Sequence, residues 1–344
     1  MEFLTTYGLF LAKAVTLVAA ILIVVGGIIG MASKQKQGKG QLEISSLTEK
    51  LEELKEHALE LVMDKTDLKK MRKEQKKAKK QEEKAKSKDD SEAKPKPNLF
   101  VVDFNGSTDA HEADALREEI TAILMVAKED DEVLVRLESG GGVVHGYGLA
   151  ASQLQRIKDK NIKLTVSVDK VAASGGYMMA CVADKVLSAN FAIIGSIGVI
   201  AQLPNFNKLL KKNDIEFEQH TAGEFKRTIT MFGENNDEGR EKFREELEDV
   251  HVMFKEHVQT NRPNLDIEKV ATGEYWYGIK AHELGLVDEL STSDDYLLAS
   301  HETKQIFKVK YSTPKKLAEK LASAASLSVE STVMKLWERA NRLF

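Results

Sequence analysis

Residues 14–32 carry no charged side chain, and nothing else in the sequence narrows the possible architectures as much. The run includes Val15, Leu17, Val18, Ile21, Leu22, Ile23, Val24, Val25, Ile28 and Ile29. As a helix rising about 1.5 Å per residue, nineteen residues reach nearly across the hydrocarbon core of a bilayer. A buried core helix is the plain alternative, and hydrophobicity all round the helix at the extreme N-terminus argues against it. A cleaved signal peptide is the rival reading, since Gly30-Met31-Ala32 faintly resembles a cleavage site. Against it, the run exceeds the usual 7–15 apolar residues and Lys13 alone is not a basic leader. A retained membrane anchor over residues 1–33 is therefore expected.

A charged helical stalk or linker is expected over residues 34–97. Ser46 and Glu49 have capping-box spacing. Leu47, Leu51, Leu54, Ala58 and Leu61 then repeat at alternating intervals of four and three. That spacing suits a short coiled-coil seam or one amphipathic helix resting on its own domain. Residues 64–96 hold fourteen Lys/Arg and eight Asp/Glu, a net +6. So few apolar residues cannot bury enough surface to order the piece by itself. A basic tract near a membrane can also touch anionic lipid.

From Asn98 onward strands and helices alternate. Strands are predicted over residues 99–104, 132–137, 162–168 and 186–187. Helices are predicted over 110–128, 147–160 and 239–259. This order implies an α/β domain of βαβ units with a mostly parallel sheet, over residues 98–310. C-terminal helices are expected over 311–344. The formal net charge of −4 gives no global basic field, so nucleic acid is not an expected partner. The single cysteine, Cys181, excludes an internal disulfide framework and reads as core. No Cys/His pattern has metal-ligand spacing, so neither metal nor cofactor is expected.

Two glycine clusters follow predicted strands: Ser139-Gly140-Gly141-Gly142 and Ala172-Ala173-Ser174-Gly175-Gly176. Backbone amides without side chains can approach a reacting carbonyl closely, as an oxyanion hole requires. Small neighbours would leave the Ser174 hydroxyl accessible. Both clusters also read simply as tight βα turns. A serine nucleophile needs a base. His145 and His220 sit in no triad signature. A lysine serves if its pKa falls from about 10.4 to near the working pH, a cost of about 4 kcal/mol for three units. Lys170, Lys185 and Lys226 all remain candidates on spacing alone.

The motifs taken in order resemble the signal peptide peptidase A, or protease IV, family of serine–lysine peptidases, most closely its SohB-type inner-membrane members. Ser139-Gly140-Gly141-Gly142-Val143 is similar to the family's Ser-Pro-Gly-Gly segment. Ala172-Ala173-Ser174-Gly175-Gly176-Tyr177 matches its nucleophile motif, and Ile194-Gly195-Ser196-Ile197-Gly198-Val199 the segment that follows. Gly223-Glu224-Phe225-Lys226-Arg227, with Lys226 placed 52 residues after Ser174, matches its lysine motif, and Gly285-Leu286-Val287-Asp288 a further one. The resemblance covers residues 98–290. It implies a ClpP/crotonase-like fold, with Ser174 as nucleophile and Lys226 as base. It also implies Ser196 as the hydroxyl orienting the lysine, and the amides of Gly141 and Gly175 as the oxyanion hole. Gly140 departs from the family's usual proline, which frees φ at that turn.

The expected activity is thus membrane-anchored serine endopeptidase, acting on signal-peptide-like or unfolded membrane-associated polypeptides. The expected partners are a peptide or protein substrate, the lipid bilayer and further copies of the chain. A crotonase-type acyl-CoA enzyme or a non-catalytic membrane scaffold are the alternatives. The expected location is the bacterial inner membrane, single-pass. Lys34, Lys36 and Lys39 after the anchor put the catalytic domain in the cytoplasm by positive-inside reasoning. The family resemblance points instead to the periplasm.

Overall fold

The computed structural model describes residues 40–64, 66–74, 77, 96–223 and 225–312, with Lys13 and Thr16. The chain divides into two compact units, Met1–Gln41 with Tyr311–Phe344, and Leu42–Lys310. The expected anchor and the C-terminal helices lie almost wholly outside the described residues, as does all of 78–95. Among the described residues no helix is long and apolar enough to cross a membrane.

The second unit is built on a seven-stranded sheet. Its strands are β1 (Gln41–Ser46), β2 (Asn98–Asn105), β3 (Glu132–Glu138), β4 (Lys163–Val168), β6 (Lys185–Ser188), β9 (Glu289–Leu290) and β10 (Gln305–Ser312), in the order β1-β10-β2-β3-β4-β6-β9. Every pair from β10 to β9 is parallel. Parallel sheets are covered on both faces, so their strands read as continuous apolar runs. β2 shows why. Leu99 and Val101 face a small cluster with Leu134, Leu297 and Ile306, while Phe100, Val102 and Phe104 point into the main core. Alternate residues of a strand take opposite faces, so both sets must be apolar.

The main core is closed by helices α2 (Ala113–Val126), α3 (Val144–Lys158) and α4 (Gly175–Ala180). Leu116, Ile120 and Ile123 of α2, spaced four and three apart, are almost completely buried. Each such side chain contributes roughly 1.5–3 kcal/mol on burial. The opposite face receives helix α1 (Leu47–Val62), whose Leu47 and Leu51 pack on the small cluster. Ser46 Oγ accepts from Glu49 N at 3.1 Å, the expected cap. Leu54 and Leu61, further along the same seam, are exposed. The seam's first turns therefore rest on the domain itself.

A second, three-stranded sheet was not legible in the sequence. It comprises β5 (Val171–Ala173), β7 (Ile193–Gly195) and β8 (Tyr275–Tyr277), with β5 parallel to β7 and β8 antiparallel to it. An isolated bridge between Ser139 and Ala172 joins β5 to the end of β3. Helix α5 (Asn207–Lys212), the long helix α6 (Asp237–Asn261) and short helices α7 (Ile267–Val270), α8 (Gly278–Glu283) and α9 (Ser293–His301) complete the unit. Helix α6 spans the predicted 239–259.

Candidate active site

The small sheet brings three of the sequence motifs side by side. Ser139 N donates to Val171 O at 2.8 Å, and Ala173 N donates to Ser139 O at 3.0 Å. Ala173 is in register with Gly195. Ser174 N donates to Gly195 O at 2.7 Å, and Ser196 N donates to Glu274 O at 2.7 Å. Ser174 and Ser196 thus leave adjacent strands at the same level. Both have positive φ, 51° and 52°.

Ser174 has φ 51° and ψ −119° and precedes α4 directly. A non-glycine residue there costs of order 1–3 kcal/mol and persists only where its surroundings hold it. The surroundings are rigid. Tyr177 OH donates to Leu286 O at 3.0 Å, and His257 Nε2 lies 2.9 Å from Met178 O. Tyr177, Met179 and Cys181 are completely buried. Burial pushes the Cys181 thiol up to about 12, which suits an inert core residue.

The neighbouring glycines are required by close approach. A Cβ on Gly175 would collide with the Tyr147 ring, and one on Gly176 would lie 2.5 Å from Ser139 O. Gly141 has φ 85°, and a Cβ there would lie 2.6 Å from Gly175 N and 2.7 Å from Ser174 Cβ. The Gly141 backbone therefore sits directly against the serine and the following amide. Gly175 N opens a helix, where an N–H has no intrahelical partner. Gly141 N donates to Ser139 Oγ at 3.0 Å. Backbone and the buried Tyr147 and Ser139 side chains together set the tight approach of the two turns, and α4 is too short for a helix dipole to matter much.

Lys226 lies on the excursion between β7 and α6. Its side chain is exposed, and among the described residues no hydrogen bond joins it to Ser174 or Ser196. Its N–H donates to Gly223 O at 3.3 Å. Glu224, inside the same motif, lies outside the described residues. The rival lysines are committed elsewhere. Lys170 Nζ contacts both Glu138 carboxylate oxygens at 3.0 and 3.1 Å, and Lys185 Nζ lies 2.6 Å from Glu289. His145 is exposed, and His220 is exposed beside Glu218 at 3.5 Å. The structure therefore brings Ser174, Ser196, Gly141 and Gly175 together and leaves Lys226 on an open surface. Tyr147 is a component that sequence reasoning passed over, because an aromatic residue in a helix carries no distinguishing signal.

Known proteins resemble the chain over most of its length. Residues 2–154 match Peptidase family S49 N-terminal, and residues 156–306 match Peptidase family S49. The chain is 51% identical to the Haemophilus influenzae protein named "Probable protease SohB", over 100% of this chain and 99% of that one. It is 50% identical to a protein of the same name from Buchnera aphidicola, over 87% of this chain and 100% of that one. Among solved structures, a 1510-N membrane-bound stomatin-specific protease in complex with a substrate peptide aligns at TM-score 0.43 and 12% identity. The alignment covers 67% of this chain and 98% of that one.

Proposed function

Since this chain belongs to peptidase family S49 and is a serine-type peptidase, we propose that it cleaves peptide bonds with Ser174 as nucleophile and Lys226 as general base. Ser174 Oγ attacks the scissile carbonyl carbon as its proton passes to Lys226 Nζ. The carbonyl oxygen becomes an oxyanion and is received by the Gly175 amide and by the Gly141 amide, whose N–H leaves Ser139 Oγ to do so. The intermediate collapses, the C–N bond breaks, and Lys226 returns the proton to the leaving amine. Water then attacks the acyl-enzyme, giving its proton to Lys226, and a second collapse releases the acid and restores Ser174. Ser196 Oγ orients the lysine amine.

The observation that carries this reading is the backbone of Ser174. A serine held at φ 51°, crowded by two glycine amides, is a strained arrangement with no structural need for a hydroxyl. The acyl-CoA reading lacks support. No carboxylate is hydrogen-bonded to Ser174, Gly141 or Gly175 among the described residues. A scaffold would have no need to keep the strained serine.

The exposed position of Lys226 is explained by assembly. Its excursion presents Ile200, Leu209, Ile215 and Phe217 to solvent, and Phe191 beside it is 80% exposed. Several exposed large apolar side chains on one excursion are what an interface would cover. In this account the chains form a homo-oligomer whose neighbouring copies complete the groove over Ser174. Residues 14–32 fix the assembly in the bacterial inner membrane, and the substrates are signal-peptide-like or unfolded membrane-associated polypeptides. A reporter fused to the C-terminus reads which side carries the catalytic domain. The direct test is a fluorophosphonate probe on the full-length protein. Labelling mapped to Ser174 supports the reading, and an unlabelled, folded protein refutes it.

A further inference from the structure

Ser174 stands in a row of residues that crosses the ends of four strands. The parallel bridge from Ser139 to Ala172 puts Gly141 level with Ser174, and the Ala173–Gly195 pair puts Ser174 level with Ser196. The antiparallel Gly195–Tyr275 pair puts Ser196 level with Glu274. A backbone bond from Ser196 N to Glu274 O, 2.7 Å long, pins that last step. The first three members of the row are half-buried and Glu274 is exposed, so the row opens to solvent at Glu274. Neighbouring strands lie about 4.8 Å apart, which sets the Glu274 backbone roughly 10 Å from that of Ser174.

The backbone at Glu274 is held firmly. Gly273 N donates to Ile197 O at 3.1 Å, and a Cβ on Gly198 would lie 2.8 Å from Gly273 Cα. The segment before β8 is thus clasped against the residues that follow Ser196. The carboxylate is less committed. Its Oε2 accepts from Thr272 Oγ1 at 2.8 Å, and among the described residues no cation lies within ion-pair distance of it. Other carboxylates bordering the site do have basic neighbours. Glu138 is bound by Lys170 at 3.0 Å. Asp109, on the loop whose Thr108 O accepts from Val143 N, lies 2.9 Å from His111. Lys226 is no standing partner for Glu274, because a general base has to be neutral when substrate arrives. A fixed, exposed carboxylate without a counter-ion, level with the nucleophile, is a place for a cation that the substrate brings.

We infer that Glu274 determines specificity: it draws in a lysine or arginine side chain of the substrate two or three residues from the bond to be cut, and it turns away an acidic one there. The inference rests on the reading of Ser174 as nucleophile. The long stem of either basic side chain spans the remaining gap. Because the carboxylate is exposed, its pull is that of a solvent-screened pair, a few-fold in rate and weakened by salt.

The test uses full-length enzyme in detergent, normalised to the amount of Ser174 labelled by a fluorophosphonate. The substrates are apolar fluorogenic peptides identical but for one residue, Lys, Gln or Glu, placed two positions before or two positions after the bond cut. Mass spectrometry of the products fixes that bond. In at least one of the two series the wild type should rank Lys above Gln above Glu in kcat/KM, each step about two- to fivefold at low salt. Added salt at about 0.5 M should shrink the steps. Glu274→Gln keeps the shape and the backbone bond to Ser196, and should bring the three peptides within about twofold of one another. Glu274→Lys should reverse the ranking. Asp109→Asn is the control and should keep the wild-type ranking. A wild type indifferent to the charge overturns the inference, as does a ranking that survives Glu274→Gln or disappears with Asp109→Asn. An equal fall for all three peptides in Glu274→Gln, with the ranking kept, also overturns it, because Glu274 would then act on Lys226 and not on the substrate. If the wild type is not labelled at Ser174, the nucleophile reading and this inference fall together. If it is labelled and any of the overturning results appears, only this inference falls.

Discussion

At the residue scale, Ser174 is where stability and chemistry pull in opposite directions. Its φ of 51° with ψ of −119° is a conformation that glycine adopts freely and serine does not. Ser174→Gly should therefore stabilise the fold by about 1 kcal/mol while abolishing cleavage. Ser174→Ala keeps the Cβ and should abolish cleavage with no gain in stability. Chemical denaturation of both variants checks this, and equal stabilities would show that the turn is not strained. Ser174, Gly175 and Gly141 stood out in the sequence as members of two glycine clusters, which read equally as tight βα turns until the family motifs were matched. Lys226 was legible only through its motif. Nothing in the spacing separates it from Lys170 or Lys185, and it took the structure to show those two paired with Glu138 and Glu289. Tyr147 was illegible because its hydroxyl partners, Ser107 and Ser139, lie 40 and 8 residues away.

At the scale of elements, long parallel strands were readable and short ones were not. β2, β3 and β4 are buried on both faces and so stand out as apolar runs. β5, β7 and β8 have three residues each, too few to show a period. They are nonetheless the elements that carry the site, and they depend on the framework behind them. Arg262, at the end of α6, is part of that framework. It donates to Asp288 Oδ1 and Oδ2 at 2.7 and 2.8 Å and to Gly285 O at 3.0 Å, and Asp288 in turn accepts from Val186 N at 2.7 Å. Burial raises the Asp288 carboxyl, but hydrogen bonds from Arg262 and the Val186 amide outweigh it and hold the group below the usual range. A carboxylate depressed in the folded state adds stability above its unfolded pKa of about 3.9, and that stability is lost as pH falls through the folded value. Asp288→Asn, which leaves the nearly buried guanidinium without its counter-charge, should cost about 1–3 kcal/mol near neutral pH. The deficit should shrink below about pH 4, where the wild type is losing the same interaction. Denaturant titrations of both proteins at pH 7 and pH 3 measure it. A deficit that stays constant with pH would place the effect in packing and not in charge.

At the scale of the whole molecule, the proposed account is an assembly of chains on a membrane. Ser174 sits in a rigid setting, whereas the segment bearing Lys226 shows apolar side chains to solvent and forms no bond to the serine among the described residues. Detergent-solubilised protein is expected to be a homo-oligomer by light scattering, and full activity in a monomer would contradict that. Full-length protein should stay with membranes through an alkaline carbonate wash, and a chain beginning at Asn98 should not. Recovery of full-length protein in the wash would remove the anchor from the account.

The central claim is that Ser174 and Lys226 act as one catalytic unit, and Lys226→Arg tests it most directly. The substitution keeps the charge and most of the length, but a guanidinium stays protonated at any useful pH and cannot take the serine proton. The measurement is turnover of an apolar fluorogenic peptide by purified oligomeric enzyme, with circular dichroism confirming the fold. The account predicts that Lys226→Arg falls to the level of Ser174→Ala, and that the double variant is little worse than either. Near-normal turnover by a folded Lys226→Arg enzyme would contradict it and assign the base to another residue, with His220 the next to substitute.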